Sequence, residues 1–246
     1  MAKILLNINN MPSSPRYYIL EDHSLFHVTW KCHNNDWLLK EDWAKKLYYN
    51  LLLKYKDRYG VQIYAYCFMD NHPHLTGKLK SLQDFSDFFR VVNSCFARSY
   101  NKRVGRRGQV VMDRFKSPRI ESEADLFKVM FYIDLNPKRA GKVSHPKQNT
   151  FSSYNYYAFG KSDPLVTSAP SYLGLGKSPQ ARQKIYQSLV ESILKNDWKE
   201  KVPYSSVSFI GNPIWVRQQI YQLKMAKTSY YRDWKQRYKK RFANVS

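Results

Sequence analysis

The sequence predicts an α+β fold with a ferredoxin-like antiparallel sheet, packed helices and a helical extension at the C-terminus. Short runs rich in β-branched and aromatic residues, such as 25–32, are typical of strands. The segments between them repeat apolar residues at helical spacing, and turn residues such as Gly60 separate the two patterns. A chain of 246 residues with 16% aromatic residues is long enough to bury a core and too aromatic for intrinsic disorder.

The order of the predicted elements is β-α-β-β-α-β-α, which is the ferredoxin-like order with one added helix. Ser122 and Asp125 form a capping-box pattern that begins the last helix. The same helix is expected to stop at Asn136-Pro137, because a residue before proline is pushed out of helical geometry. In chain order the elements are a strand at 25–32, a helix at 40–59, strands at 61–69 and 72–80, a helix from 82 to a basic loop at 102–107, an extended segment at 109–120 and the helix after Ser122.

Composition divides the chain into an N-terminal arm at 1–22, a main domain at 23–160 and a basic extension at 161–246. Residues 151–170 are rich in Ser, Tyr, Asn and Pro, which predicts a linker or a surface wrap. The extension contains helical spacing at 180–195 and 213–227. It fits either a helix-turn-helix reader or a helical brace on the main domain.

The charge balance indicates a phosphate-rich partner. The chain has 41 Lys and Arg residues against 19 Asp and Glu, a net charge of +22, with clusters at 102–107 and 235–241. Counterion release favours nucleic acid for such a surface. No apolar run approaches the ~20 residues that cross a bilayer, and no secretion signal is evident, so we expect a cytoplasmic protein that does not bind membranes. Three widely spaced cysteines without a CxxC pattern argue against a disulfide scaffold or a structural zinc site.

Two pairs of residues suggest a reactive site. His72 and His74 lie two apart on a predicted strand, so both imidazoles project from one face and form half of a metal site. Tyr132 and Asn136 lie four apart on one helical face. Asn136 offers an oxygen as a third ligand, and Tyr132 offers a hydroxyl that attacks phosphorus. Each feature alone also fits a structural role, since single histidine pairs and packed tyrosines are common.

Several motifs in order carry a family resemblance. The segments "YCFMDNHPHLTG", "RFKSPRIES", "FYIDLNPKRAGKV" and "FSSYNYY" resemble the REP-associated tyrosine transposases, which belong to the single-tyrosine HUH superfamily. The resemblance covers about residues 20–157 and implies that His72 and His74 bind metal, Asn136 completes the ligand set and Tyr132 is the nucleophile. Pro73 departs from the hydrophobic residue usual between the two histidines; it withdraws an N–H from the strand but removes no ligand.

The resemblance implies an enzyme that uses Mg²⁺ or Mn²⁺ to cleave and rejoin single-stranded or hairpin, REP-like DNA through a 5′-phosphotyrosine. It implies a protein of the bacterial cytosol or nucleoid, either a monomer or a homodimer. Two alternatives remain open at this point. One is a catalytically silent, domesticated protein that binds hairpin DNA or RNA; the other is a metal-dependent phosphodiesterase in which water attacks and Tyr132 packs.

Further residues are candidates for DNA contacts. The tyrosines Tyr154, Tyr156 and Tyr157 are interpreted as packing or base-stacking residues, and Asp70 as a turn residue rather than an acid catalyst. His27 and His33 are candidates for extra ligands, but His27 is expected to face the sheet surface and to lie outside the site. The predicted DNA-binding residues are basic side chains in the glycine-flanked loop, on one face of the extended segment and just after the last helix of the main domain, namely Arg103, Arg106, Arg107, Arg114, Lys116, Lys138 and Arg139.

Overall fold

The computed structural model describes residues 15–196, Tyr204 and 206–243, with side chains in the last helix as far as Tyr230 and at Arg232. Most of the predicted N-terminal arm, residues 1–14, and the side chains of the basic cluster 235–241 lie outside this part of the chain. The strands are β1 Leu25–Thr29, β2 Val61–Phe68, β3 Pro73–Leu79, β4 Arg119–Ile120 and β5 Phe209–Ile210; the helices are α1 Asp42–Lys56, α2 Leu82–Val104, α3 Glu123–Arg139, α4 Tyr154–Phe159, α5 Pro170–Leu173, α6 Pro179–Lys195 and α7 Pro213–Ala243.

The predicted α+β class and the order β-α-β-β-α-β-α are confirmed. The sheet order is β2-β3-β1-β4-β5, and the first four strands are antiparallel. The predicted antiparallel sheet of the main domain is therefore present, and β5 from the C-terminal extension adds a fifth strand that pairs parallel with β4. A strand of two residues is too short to show alternation, so β5 could not be recognised in the sequence.

The extended segment at 109–120 is regular strand only at Arg119–Ile120. Before that point it follows β1 through isolated bridges, which pair Thr29 with Lys116 and Cys32 with Val111. The segment therefore covers the edge of β1 without forming a continuous ladder.

The two faces of the sheet have different neighbours. Phe26 of β1 packs on Phe85 and Phe89 of α2, with ring centres 4.7 and 6.5 Å apart. Because side chains alternate along a strand, His27 points to the opposite face. There the ring of Tyr132 on α3 lies 6.1 Å from the ring of His27. The histidines of the sheet are thus enclosed between β1, β3 and α3.

Helix α3 begins as predicted and ends later than predicted. The Ser122 hydroxyl oxygen accepts a hydrogen bond from the Asp125 backbone N–H at 3.2 Å, which caps the first turn. The predicted stop before Pro137 is wrong, since α3 continues to Arg139. A proline in the last turn removes only one backbone bond. Main-chain bonds beyond it, including Ala140 N–H to Asn136 O at 2.9 Å, hold the final turn closed.

The prediction of a linker or surface wrap at 151–170 is also wrong. The segment contains α4, and Tyr154, Tyr157 and Leu165 are fully buried. Tyr157 donates its hydroxyl to the backbone oxygen of Tyr64 on β2 at 2.6 Å. Buried tyrosines with hydrogen-bonded hydroxyls pack as core residues, although the same composition is typical of loops.

Helix α6 packs on the main domain. Its Tyr186 is fully buried against Phe131 of α3 and Tyr157 of α4, with ring centres 5.1 and 5.3 Å apart. Strand β5 separates α6 from α7 along the chain, whereas a helix-turn-helix joins its helices by a turn of about 3–4 residues. These contacts fit the helical brace.

Candidate active site

The paired histidines lie at the start of β3. His74 is buried within the strand, and half-buried His72 immediately precedes it. Their ring centres are 4.8 Å apart and nearly perpendicular, at 81°. The two imidazoles therefore share one small region of the sheet face, as the HxH spacing predicts.

A third histidine, His27, belongs to this cluster, although the sequence interpretation placed it outside the site. His27 is fully buried, and its Nε2 lies 3.1 Å from His74 Nδ1. The register of β1 against β3 explains this contact. Thr29 lies opposite His74, so His27, two residues earlier, shares its face and lies diagonal to it. His33, in contrast, lies beyond β1 in a 3₁₀ turn.

Helix α3 places a row of polar side chains against the histidines. The half-buried ring of Tyr132 lies 5.6 Å from the ring of His74 at 88°. The guanidinium of Arg139 lies 5.2 Å from the centre of the Tyr132 ring. Asn136, four residues after Tyr132, shares the same helical face. The structure thus brings the predicted nucleophile to the predicted ligand pair.

A tyrosine from the C-terminal extension also packs against Tyr132. The ring of Tyr204 meets that of Tyr132 edge to face, with centres 5.1 Å apart. Burial raises the pKa of Tyr204, and the nearby cations Lys128 and Arg139 act in the opposite direction. Sequence analysis missed Tyr204, because no spacing relates it to residues on α3.

Burial lowers the pKa of all three clustered histidines. The pKa of His27 falls to about 4, with the backbone of Tyr204 acting in the opposite direction. The pKa of His72 also falls to about 4, and Lys31 adds to the effect. The pKa of His74 lies well below its usual range, because burial and the two neighbouring histidines all disfavour a charge. The imidazoles are therefore neutral near pH 7, the state in which they bind cations.

The hydrogen bonds at Nδ1 leave Nε2 of His72 and His74 for a ligand. Asn71 Oδ1 lies 2.6 Å from His72 Nδ1 and, as an amide oxygen, accepts its hydrogen. In the tautomer in which His74 Nδ1 donates to His27 Nε2, the lone pair of His74 likewise lies on Nε2. Asn136 Nδ2 is buried without a hydrogen bond to the described residues. Two imidazoles and one amide oxygen fit a divalent cation.

A third protein ligand for a divalent cation would have to come from the Asn136 amide. Among residues 15–196 and the described part of the extension, no three His, Cys, Asp or Glu side chains cluster in a way that holds a metal ion. His27 Nε2 is taken up by its contact with His74 Nδ1. A cation at this site would take its remaining ligands from water or from a substrate phosphate.

Ion pairs connect the turn between β2 and β3, which contains Asp70 and His72, to the end of α3. Asp70 is a turn residue, as predicted, and its carboxylate pairs with Lys45 of α1 at 3.1 Å and with Lys142 just beyond α3. Burial opposes ionisation of Asp70, but hydrogen bonds from the two lysines outweigh it and lower its pKa. The pairs help to keep the turn before His72 beside the helix that carries Tyr132.

The predicted basic loop lies at the end of α2. Arg103 and Arg107 are exposed, and the guanidinium of Arg103 lies 4.4 Å from the centre of the Trp43 ring. Arg106 is half-buried, and its Nη1 makes no hydrogen bond to the described residues. The loop thus combines exposed cations with an aromatic ring, and its contact with nucleic acid stays a prediction.

The other predicted DNA-binding residues occupy two further positions. Arg114 and Lys116 are exposed on either side of the buried Phe115, which is the alternation that the sequence predicts. Lys138 and Arg139 are half-buried in the last turn of α3. The guanidinium of Arg139 has a ring contact with Tyr132.

Two comparisons relate this site to known proteins. Residues 22–133 match the family model described as "Transposase IS200 like". A solved structure of a REP-associated tyrosine transposase bound to a REP hairpin superposes with a TM-score of 0.51 at 22% sequence identity, over 65% of this chain and 96% of that one. No curated protein matches the chain significantly. In the part of the chain that the structure describes, no helix is long and apolar enough to cross a membrane.

The matched region contains β1 to β4 and most of α3, and therefore includes the histidine cluster and Tyr132. The resemblance drawn from the sequence motifs is confirmed by the family match and by the shared fold. Residues 22–133 of this chain are therefore similar in sequence to IS200-like transposases.

Proposed function

We propose that the protein breaks and rejoins single-stranded or hairpin DNA through a covalent bond to Tyr132. The observation that carries the proposal is the position of the Tyr132 ring, 5.6 Å from the ring of His74 and on the same side of the sheet as His27. A hydroxyl beside neutral imidazoles is suited to attack a phosphodiester whose charge a cation offsets.

The reaction exchanges one phosphodiester for another. The Tyr132 hydroxyl oxygen attacks the scissile phosphorus, and the bond from that phosphorus to the 3′-oxygen of the preceding nucleotide breaks. The 5′-phosphate is then attached to Tyr132, and the released 3′-oxygen takes up a proton. Attack of a 3′-hydroxyl on the phosphotyrosine reverses the step and rejoins a strand without an external energy source.

The residues present fit a divalent cation, Mg²⁺ or Mn²⁺. His72 Nε2, His74 Nε2 and the amide oxygen of Asn136 would hold it, and it would polarise the scissile phosphate and offset the charge that develops there. Asn71 and His27 would orient the two imidazoles through Nδ1.

Arg139 is suited to a second electrostatic role. Its guanidinium lies 5.2 Å from the Tyr132 ring and one helical turn beyond Asn136. A guanidinium in this position is able to pair with a non-bridging phosphate oxygen once the phosphate reaches Tyr132. We propose that Arg139 binds the scissile phosphate.

Charge and fold favour a DNA hairpin as substrate. The net charge of +22 suits a phosphate backbone, and the structurally similar transposase is bound to a REP hairpin. We propose that the exposed Arg103, Arg107, Arg114 and Lys116 contact phosphates away from the reacting bond.

The test is a denaturing gel of labelled hairpin DNA carrying single-stranded flanks, incubated with the protein in Mn²⁺, in Mg²⁺ or in a chelator. We expect a covalent protein–DNA band that requires metal and is absent in Tyr132→Phe. Tyr156→Phe is the matched control, because the Tyr156 hydroxyl bonds Ser168 at 2.7 Å on another part of the protein. Mass spectrometry of the adduct peptide would identify the attached tyrosine.

Three results would contradict the proposal. Cleavage that persists in Tyr132→Phe without an adduct would make water the nucleophile and the protein a phosphodiesterase. An adduct that persists in Tyr132→Phe but disappears in Tyr204→Phe would move the reaction to the tyrosine packed beside it. Tight hairpin binding with no cleavage, across a library of hairpins and flanks, would favour the silent binding protein.

A further inference from the structure

Trp37 is a large aromatic side chain that the fold leaves in solvent. It lies in the connection between β1 and α1, and 59% of its surface is exposed. Its position is fixed by a turn in which Lys40 N–H donates to the Trp37 carbonyl oxygen at 3.0 Å. Two preceding residues, Asn34 and Asn35, adopt positive φ values of 54° and 58°, which shape the approach to this turn.

Cations flank the Trp37 ring. The Lys142 ammonium lies 5.0 Å from the ring centre and that of Lys40 lies 5.8 Å away. Lys142 also pairs with Asp70, so its ammonium is held between a carboxylate and the indole. An exposed indole with two ammonium groups over its ring offers both an aromatic surface and positive charge, which suits a ligand that is both flat and anionic.

The Trp37 connection is fastened to the turn that carries His72. Leu39 N–H donates to the Asp70 carbonyl oxygen, and Cys32 N–H donates to that of Asn71, both at 2.8 Å. Through these bonds the indole lies beside the candidate active site and outside its histidine cluster.

The basic and aromatic character continues from Trp37 towards the loop after α2. The rings of Trp43 and Tyr100 stack at 5.1 Å, and Arg103 lies over Trp43. His33 N–H donates to the Val110 oxygen at 2.9 Å, which ties the connection to the segment that follows the basic loop. Alternating rings and cations are the pattern by which proteins bind single strands, with bases on the rings and phosphates on the cations.

We propose that Trp37 stacks on an unpaired DNA base next to the scissile phosphate, with Lys40 and Lys142 contacting the adjoining phosphates. The proposal rests on the DNA substrate of the proposed function and adds a subsite for single-stranded DNA. The strand leaving the active site continues across Trp37 towards Arg103. A duplex does not use this subsite, because its bases are already stacked on one another.

The test compares two fluorescein-labelled DNA hairpins with the same stem, one with an unpaired oligothymidine extension and one blunt. Fluorescence anisotropy gives Kd for each at low salt in a chelator, so that no cleavage is needed. We expect the wild type to bind the extended hairpin more tightly. Trp37→Ala should weaken binding of the extended hairpin by roughly 5- to 150-fold and reduce the gain from the extension, since stacking tolerates any base.

Two further variants separate stacking from charge and from general damage. Trp37→Phe keeps an aromatic face and should retain most of the gain. Phe159→Ala removes another exposed aromatic, on α4, and should behave as the wild type. A 2-aminopurine in the extension should be quenched on binding to the wild type and to Trp37→Phe, and not on binding to Trp37→Ala.

The outcomes distinguish this proposal from the function on which it rests. Equal gains from the extension in the wild type and Trp37→Ala, or no gain in the wild type, would overturn the base subsite and leave cleavage by Tyr132 intact. Failure of the wild type to bind either hairpin at low salt would overturn DNA as the substrate, and the subsite with it. A Trp37→Ala variant that loses both hairpins equally would show that the side chain supports the loop and does not stack on a base.

Discussion

Asp134 should make the stability of the protein depend on pH, and an amide at this position should remove that dependence. Asp134 is fully buried on the side of α3 that faces the brace, where the hydroxyl of Tyr186 donates to it at 2.7 Å and that of Ser153 at 2.9 Å. Burial raises its pKa from 3.8 to about 7, although both hydroxyls act in the opposite direction.

The size of the pH effect on stability follows from the rise in the pKa of Asp134. A pKa of about 7 in place of 3.8 means that folding disfavours the ionised carboxylate by ~4 kcal/mol. Between these two values the folded protein holds a proton that the unfolded chain has released, so the free energy of unfolding falls as the pH rises and levels off above about 7. Between about pH 5 and about pH 8 the loss should be ~3 kcal/mol.

The neighbouring titratable groups do not mask this effect. Those that face Asp134 are Cys67 on β2, Tyr154 and Tyr157 on α4 and Tyr186 on α6, and burial raises the pKa of each of them. All four therefore stay neutral from acid to mildly basic pH. The buried histidines, whose pKa is lowered, titrate in both proteins and cancel when a variant is compared with the wild type.

The assay is urea unfolding, followed by tryptophan fluorescence, of the wild type and Asp134→Asn across this pH range. The amide resembles the protonated acid and does not titrate, so the wild type should lose ~3 kcal/mol relative to Asp134→Asn as the pH rises. Asp57→Asn, which changes an exposed carboxyl group at the end of α1, should keep the pH dependence of the wild type. Parallel curves for the wild type and Asp134→Asn would refute the reasoning, because they would mean that Asp134 ionises equally in both states.

Two substitutions test local geometry. Gly77→Ala on β3 should destabilise the protein by ~1–3 kcal/mol, because its Cβ would lie 1.9 Å from the carbonyl oxygen of Gln62; a thermal midpoint equal to that of the wild type would contradict this close approach. Ser122→Ala should cost ~1 kcal/mol in urea unfolding by removing the cap of α3, whereas Ser122→Thr should retain most of the stability. An Ala variant as stable as the Thr variant would show that the cap contributes nothing.

The sequence predicted those elements of the fold whose signals lie within a few neighbouring residues. The cap at Ser122 was visible because a capping residue and its partner are three positions apart, and the cap forms as expected. The end of α3 was not visible, since the bonds that carry the helix past Pro137 form only after the chain has turned. Residues 154–157 have the composition of a loop, but Tyr154 and Tyr157 are buried, and the Tyr157 hydroxyl finds a backbone partner on β2.

The residues of the candidate site also divide into those that local spacing predicted and those that required the tertiary structure. The periods of strand and helix were enough to predict that the two histidines of HxH share a face and that a Tyr and an Asn one helical turn apart do so too. The sequence motifs carried the resemblance to REP-associated transposases. His27, Tyr204 and Trp37 required distances between segments that are remote in the chain. The sequence alone does not reveal the register of β1 against β3, the path of the C-terminal extension or the hydrogen bonds that join the Trp37 connection to the turn at Asp70.

By itself, then, the sequence determined the element order, the basic charge and the residue types that chemistry on a phosphodiester needs, because each follows from composition or from the period of a single element. The tertiary structure decided which side chains meet. It placed His27 against His74, Arg139 beside Tyr132 and the exposed indole of Trp37 next to the turn that carries His72. Those contacts depend on strand register and helix packing, which the whole buried core fixes together and which no single segment encodes.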